Sequence, residues 1–315
     1  MSMYDTVIIG GGPAGLSAGL YAARAGLRSL LLEKSLLGGQ AITTDLVENY
    51  PGFPEPISGL QIIQNMEEQA RKHDLAIEVR GVRSLERNQK EFYIYLEDGP
   101  GNGSESSNAL VARTIIVATG TSPIHLNVPG EAEFTGRGVS YCATCDGPLF
   151  REREIMVVGG GNSALEEALF LAKFARKVTI VHRRSALRAD KILQDRAFQH
   201  PKIHFLWNSV IQEIRGDSQV REISLQNLAD QALTTQPADG LFIYVGTKPN
   251  TGWLPPAVKL DPQGFIITDE RLSTSLGGLF AAGDCRRKPL RQIVTAASDG
   301  ALAGMMAYHY LQENT

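Results

Sequence analysis

Two stretches of the chain decide its fold: Asp5-Thr-Val-Ile-Ile-Gly-Gly-Gly-Pro-Ala-Gly15 and Glu154-Ile-Met-Val-Val-Gly-Gly-Gly-Asn-Ser-Ala164. Each begins with a short apolar run and breaks into a glycine turn. Each continues with helical spacing, over Leu16–Ala25 in the first copy and Leu165–Phe174 in the second, and reaches a further apolar run, Ser29–Leu32 or Val178–Val181. Strand, tight turn, helix and strand make a βαβ unit, and a repeated βαβ unit predicts an α/β chain with parallel sheets.

Working outward, Phe92–Leu96 alternates like a strand, and the polar, glycine-rich stretch 98–108 reads as an exposed hairpin loop. Thr114–Val117 reads as a strand running into Ala118-Thr119-Gly120. Gly240–Val245 reads as another, ending at Gly246. Leu279-Phe-Ala-Ala-Gly-Asp284 is a strand closed by a glycine turn, and Thr295–Leu311 has helical spacing of small and apolar residues.

A chain of 315 residues exceeds one ordinary domain, so two are expected. A hydrophobic content of 43% supports real cores, and the 32 glycines are too dispersed for a low-complexity tract. The net charge of -3 gives no basic footprint, so a nucleic-acid partner is not expected. No apolar run approaches the ~20 residues of a membrane span, and no membrane partner is expected. The strand-like run Thr6–Ile9 begins too early to leave room for a signal or transit peptide, which makes the cytoplasm the expected location.

The two glycine turns lead to different chemistry. Gly10-x-Gly12-x-x-Gly15 has the spacing that lets a backbone approach a pyrophosphate at a helix N-terminus. Its second strand ends in Glu33, 18 residues past Gly15, where a carboxylate can hydrogen-bond the hydroxyls of an unmodified ribose, as in FAD or NAD. Gly159-x-Gly161-x-x-Ala164 leads instead to His182-Arg183-Arg184, with Arg188 four residues on. Guanidinium forks suit a dianionic phosphate, so this turn is expected to prefer NADPH; the plainer reading is a solvated charge run at a strand end. A flavin in one turn and a two-electron donor in the other is the economical account.

Of three cysteines, two form Cys142-Ala-Thr-Cys145, followed by Asp146. Too few for a secreted disulfide framework, they point to redox or metal chemistry. The pair can form a reducible disulfide, and Asp146 can move protons as it opens and closes. A zinc site needs four ligands; there is no second cysteine pair, and Pro201 separates His200 from His204, so no metal is expected. A pair of small buried residues is the structural alternative. Cys285 has no partner in spacing and reads as a small residue packed near a cofactor.

The motif order, from Gly10–Gly15 through Cys142–Asp146, Gly159–Ala164 and His182–Arg188 to Ala282-Gly283-Asp284, resembles the low-molecular-weight thioredoxin reductases of bacteria over about residues 4–311. The position of the cysteine pair, just before the second fingerprint, carries the likeness; high-molecular-weight disulfide reductases place theirs near the first. The resemblance implies two Rossmann-like three-layer nucleotide-binding domains: a discontinuous FAD domain (1–117 and 246–315) and an inserted NADPH domain (118–245) that carries the cysteines. It also implies a homodimer.

By the same resemblance, Gly38, Gly39, Gln40 and Asn49 contact FAD, Asp284 lies at its ribityl–phosphate region, and Arg291 and Gln292 lie beside the flavin. Pro13, Ala14, Lys34, Val82, Ala118, Thr119, Gly120, Gly283 and Ile293 complete that set. Asn162, Ser163, His182, Arg183, Arg184 and Arg188 hold NADPH. The implied mechanism passes hydride from NADPH to the flavin and opens the disulfide through Cys145. Asp146 supplies a proton, and the Cys142 thiolate attacks the disulfide of thioredoxin. Rotation of the inserted domain would let the flavin face nicotinamide and cysteines in turn.

Three alternatives remain open at this level. The same chemistry could serve a glutaredoxin-like or peroxiredoxin partner. The chain could be a flavoprotein passing electrons to ferredoxin, against which the cysteine pair argues. It could be a non-enzymatic NADPH sensor or scaffold, which would be colourless when purified.

Overall fold

A computed structural model describes residues 3–44, 47–97 and 109–314. The stretch 98–108, expected as a hairpin loop, lies outside the described residues. The chain divides into two compact units, Met1–Ser122 with Lys248–Thr315, and Pro123–Thr247. These boundaries fall five and two residues beyond those expected from the sequence.

The first unit runs β1 (Tyr4–Ile9), α1 (Pro13–Arg24), β2 (Ser29–Glu33), α2 (Gly59–Arg71), β3 (Ala76–Val79), β4 (Val82–Asn88), β5 (Glu91–Leu96) and β6 (Ala109–Val117). β7 (Thr121–Pro123) leads out of it. The second unit runs α3 (Glu131–Phe134), β8 (Val139–Ser140), α4 (Ala143–Asp146), β9 (Glu154–Gly159), α5 (Asn162–Leu171), β10 (Lys177–Val181), α6 (Lys191–Gln199) and β11 (Ile203–Leu206). It continues through β12 (Ser209–Gly216), β13 (Val220–Asn227), β14 (Leu233–Pro237) and β15 (Gly240–Tyr244). β16 (Thr247–Pro249) returns the chain, pairing with β7. β17 (Leu279–Ala281) and α7 (Ile293–Glu313) complete the first unit.

In the first unit β3-β2-β1-β6 are parallel, because βαβ crossovers return each strand in the same sense. Val7 and Ile8 are completely buried, as strands covered on both faces must be. Along the edge away from β1, β6 is long enough for two neighbours: its first half pairs antiparallel with β5, and its second half pairs parallel with β17. The sequence reading anticipated β5 and the second half of β6; the full β4-β5-β6 meander was not anticipated. Ser58 caps α2 by accepting from Gln61 N–H at 3.1 Å. α1 and α7 cross at backbone contact: a Cβ on Gly300 would stand 2.0 Å from Ala14 O, so no larger residue fits there. α7 extends beyond the predicted Thr295–Leu311 at both ends.

The second unit repeats the plan in the order β11-β10-β9-β15-β8, all parallel. An antiparallel sheet, β12-β13-β14, covers one side, with a core of Phe134, Ile211, Ile223 and Leu241 beneath it. α5 and α6 cover another core built from Val157, Leu165, Ile180 and Phe242. Among the described residues, no helix is long and apolar enough to cross a membrane.

Candidate functional sites

In the first unit, strands leave β1 in both directions, toward β2 on one side and β6 on the other. Ligands bind at such switch points, outside the carboxyl ends of the strands. The first glycine turn stands there. Gly10 has φ +111°, and a Cβ on it would lie 2.3 Å from Ala118 O; one on Gly15 would lie 1.8 Å from Gly10 O. Gly12 by contrast has only Gly38 O nearby, at 3.8 Å, so this is where a ligand's pyrophosphate can come close to the protein backbone. Pro13 and Ala14 open α1 directly behind it, Pro13 supplying the preset φ of a first helical residue.

Glu33 reaches back to this turn. Its Oε2 accepts from Gly11 N–H at 2.6 Å and its Oε1 from Ser35 N–H at 3.1 Å. Lys34 is exposed beside Glu97, and Val82 opens β4, half-buried. Gly38 and Gly39 both take left-handed φ, and Gly38 N–H donates to Gly11 O at 2.8 Å, folding this loop over the turn. Gln40 directs its amide to Thr121, donating to the carbonyl at 2.6 Å and to Oγ1 at 2.8 Å. Asn49 and Gln292, far apart in sequence, meet at 3.3 Å. Asn250 gathers the strand end after β6: its Nδ2 donates to Thr119 O, its N–H to Gly120 O, and its Oδ1 accepts from Ser122 Oγ.

Gly283 and Asp284 follow β17 at the same carboxyl end. Among the described residues only three buried side-chain polar atoms lack a hydrogen-bond partner, and two are Asp284 Oδ1 and Arg291 Nε. Buried polar atoms are ordinarily paired, so these two call for a polar ligand. Burial pushes the Asp284 carboxyl above the usual carboxylate range, while Lys288 and Arg291 draw it down and Asp299 pushes it up. Arg291 lies over the Phe265 ring at 4.0 Å, a planar cation stacked on an aromatic face. Ile293 begins α7. The orphaned atoms and the glycine cradle fit a bound dinucleotide of flavin type.

The sequence reading missed what holds this turn. Asp299 Oδ2 accepts from Gly283 N–H at 3.0 Å, Arg286 Nε at 2.8 Å and Lys288 Nζ at 2.7 Å; Oδ1 accepts from Arg286 Nη2 at 2.9 Å. Burial raises the Asp299 carboxyl, but Arg286 and Lys288 outweigh it and hold the carboxyl below its ordinary range. The signal was available: an aspartate inside the small, apolar run Ala296-Ala-Ser-Asp-Gly-Ala301 needs buried partners.

The second glycine turn occupies the equivalent switch point between β9 and β15. Gly159 packs on Tyr244 O, where a Cβ would lie 2.5 Å away, while Gly161 has open space around it. His182 is buried, and a Cβ on Gly160 would strike its ring. Its Nε2 lies 3.0 Å from Ala186 O, and burial lowers its pKa, with Arg188 and Arg184 adding to this against the backbone bonds to Ala186 and Gly159. His182 therefore braces the 183–188 loop from beneath. Arg188 N–H donates to Gly160 O at 2.7 Å, and Asn162 ties to Asp190 through both ends of its amide. Ser163 is exposed at the start of α5, as are the side chains of Arg183, Arg184 and Arg188 on the loop. No carboxylate forms an ion pair with these three arginines among the described residues. Three unneutralised guanidinium groups beside an open glycine turn fit a phosphorylated dinucleotide.

In the same unit, Cys142 and Cys145 form a disulfide. Cys142 is half-buried, Cys145 exposed and Asp146 half-buried. Cys145 N–H donates to Cys142 Sγ at 3.1 Å. The spacing thus places both sulfurs on one turn, Cys142 capping α4 and Cys145 within it, as thiol–disulfide exchange requires. Cys285 lies elsewhere, fully buried, its thiol directed to Val117 O and Ala282 O; burial pushes its pKa up to about 11. Such a thiol is inert at neutral pH. No cluster of three or more His, Cys, Asp or Glu side chains suited to a metal occurs among the described residues.

The profile of the pyridine nucleotide-disulphide oxidoreductases matches residues 4–300. The chain is 46% identical to a thioredoxin reductase of Listeria monocytogenes, with 99% of this chain and 95% of the relative aligned. It is 42% identical to one of Treponema pallidum, over 98% and 97% of the two chains. The solved thioredoxin reductase of Lactococcus lactis superposes with a TM-score of 0.93 at 42% identity, covering 98% of this chain and 99% of that one. With two glycine turns at two switch points and a disulfide between them in sequence, the chain belongs to the pyridine nucleotide-disulphide oxidoreductase family and, with that family, binds a flavin and a nicotinamide nucleotide.

Proposed function

We propose that this chain is an NADPH-dependent thioredoxin reductase that holds FAD in its first unit and NADPH in its second and works as a homodimer. The observation that carries the reading is the Cys142–Cys145 disulfide in the same unit as an arginine-lined dinucleotide turn. When bound, the nicotinamide nucleotide and the flavin supply the two electrons that open the disulfide.

The rest is the work of this chain's own residues. Gly12 and Gly161 leave room for the pyrophosphates, and the N–H groups at the starts of α1 and α5 meet their charge. Glu33 keeps one carboxylate at the first turn, which suits a ribose with free hydroxyls and repels a 2′-phosphate. Arg183, Arg184 and Arg188 do the reverse at the second. Cys145, the more exposed residue of the pair, is the one to receive the electron pair, and the Cys142–Cys145 bond breaks. Asp146 donates a proton to the Cys145 sulfur, and Cys142 leaves as the thiolate, with Cys145 N–H as its donor. The Cys142 thiolate attacks one sulfur of oxidised thioredoxin, whose disulfide breaks. Cys145 returns its proton through Asp146 to the freed thioredoxin sulfur, and the resulting Cys145 thiolate attacks Cys142, restoring the disulfide and releasing thioredoxin with two thiols, the second proton coming from solvent.

Anaerobic titration of the purified holoprotein with NADPH, followed by oxidised thioredoxin, tests this. The visible flavin band should bleach with NADPH and return on adding thioredoxin. Cys142→Ser and Cys145→Ser should each keep the bleaching and lose the return by at least about a thousandfold in rate. A flavin that returns only with ferredoxin or another dithiol protein would overturn the substrate.

A further inference from the structure

Tyr244 ends β15, where it pairs with Gly159 of the second glycine turn. Its half-buried ring packs into the core that contains Ala143, Leu165 and Phe242. Its hydroxyl leaves that core for the cysteine turn, where Tyr244 Oη accepts from Ala143 N–H at 2.8 Å. Ala143 is fully buried, so this phenol is what keeps its amide from being stranded without a partner.

Two amides of the cysteine turn thus have different fates. Cys145 N–H is spent on Cys142 Sγ. Ala143 N–H, the next amide in the chain after Cys142, is withheld from sulfur by a phenolic oxygen. Among the described residues, the titratable groups that act on the phenol are Glu167 of α5 and Asp146 of α4; burial first, then these carboxylates, push its pKa up and outweigh the opposing bond from Ala143 N–H, so the phenol stays protonated.

We propose that Tyr244 is a positioning residue of the redox pair: by occupying Ala143 N–H it fixes the turn between Cys142 and Cys145 and restrains the acidity of the Cys142 thiol. The inference rests on the reading of Cys142–Cys145 as the redox centre. Its physical logic is a competition for one donor. A thiolate is stabilised by each N–H that turns to it, and an N–H already bonded to Tyr244 contributes less. The tyrosine thereby keeps Cys142 less acidic and more nucleophilic once ionised, since intrinsic thiolate nucleophilicity falls with pKa. It also couples the two ends of the unit's chemistry, because its backbone lines the nucleotide turn and its side chain lines the disulfide.

The experiment compares Cys145→Ser holoprotein with the same protein carrying Tyr244→Phe. Cys142 is then the one reactive thiol, Cys285 being buried. The pH midpoint of Cys142 alkylation by iodoacetamide should fall with Tyr244→Phe by about half a unit or more, roughly a threefold gain in thiolate at a fixed pH below the midpoint. Continued bleaching of the flavin by NADPH, which needs the nucleotide turn of the second unit, checks that the variant is folded. An unchanged or raised midpoint would overturn the proposal. A second measurement requires no alkylation: in the wild-type, oxidised holoprotein the Ala143 amide should exchange with deuterium at least about tenfold more slowly than in Tyr244→Phe with both cysteines present. Equal exchange would equally overturn it. Failure of NADPH to open the wild-type disulfide would strike the redox reading instead, and the alkylation comparison keeps the two outcomes apart.

Discussion

The two glycine turns share one backbone plan and end in opposite electrostatics. In the first, the closing strand delivers Glu33, whose carboxylate folds back onto Gly11 N–H. In the second, it delivers a buried His182 that carries a loop of exposed arginines. The turns also differ in tightness. A Cβ on Gly15 would meet Gly10 O at 1.8 Å, whereas its counterpart in the second turn is already an alanine, Ala164. The strand–turn–helix frame is thus common to both turns, and the residues at the end of the next strand set their unlike charge.

The largest expected effect breaks the likeness between the turns. Gly15→Ala should cost about 3 kcal/mol or more and yield protein without flavin, because backbone atoms would have to move. Gly161→Ala should leave the melting temperature within a few degrees and the flavin in place, since nothing lies near its Cβ position, yet should raise the KM for NADPH. Thermal unfolding followed by flavin release measures both. Equal losses of stability would show that the space beside Gly161 is no more open than that beside Gly15.

Charge exchange should have an intermediate effect. Replacing Arg183, Arg184 and Arg188 together by alanine should raise the KM for NADPH by about 30-fold or more, or roughly 2 kcal/mol, with less than about a threefold change for NADH. Steady-state kinetics with the two nucleotides checks this. At the first turn, Glu33→Gln should weaken flavin retention by roughly tenfold without altering the preference between nucleotides.

The smallest effect concerns acid. Asp299 in the first unit and Glu131 in the second are buried carboxylates held below their ordinary range. In both cases burial opposes this; at Asp299, Arg286 and Lys288 overcome it, and at Glu131, Tyr141 and the backbone N–H groups of 126–128 do so. A depressed folded pKa contributes stability above the unfolded value, lost as pH falls through the folded one. Both units should therefore lose stability below about pH 4, and Asp299→Asn or Glu131→Gln should flatten that loss. Acid unfolding monitored by circular dichroism checks the slope.

Much of this was legible without coordinates. Apolar runs, glycine spacing and the residue ending each second strand are local, and they announced both βαβ units, the α/β class and the unlike charge of the two turns. The Cys-x-x-Cys spacing likewise brings two sulfurs onto one turn whatever surrounds it. Other features were legible only in part. The sheet of β12, β13 and β14 went unread because its strands carry polar residues on an exposed face and have no glycine fingerprint beside them. Asn162 and Gln40 fit their motifs by type, but the amide of each is spent on Asp190 or Thr121, which lie 28 and 81 residues away in sequence.

Sequence by itself determined the repeated strand–turn–helix units, the unlike charges at their ends and the closely spaced Cys142–Cys145 pair, because each depends on residues within a few positions of one another. Only the tertiary structure decided which polar groups meet: Asp299 with Gly283, Arg286 and Lys288, Asn49 with Gln292, and Tyr244 with Ala143. Hydrogen bonds reach about 3 Å, and no periodicity records which distant segments fold to within that reach.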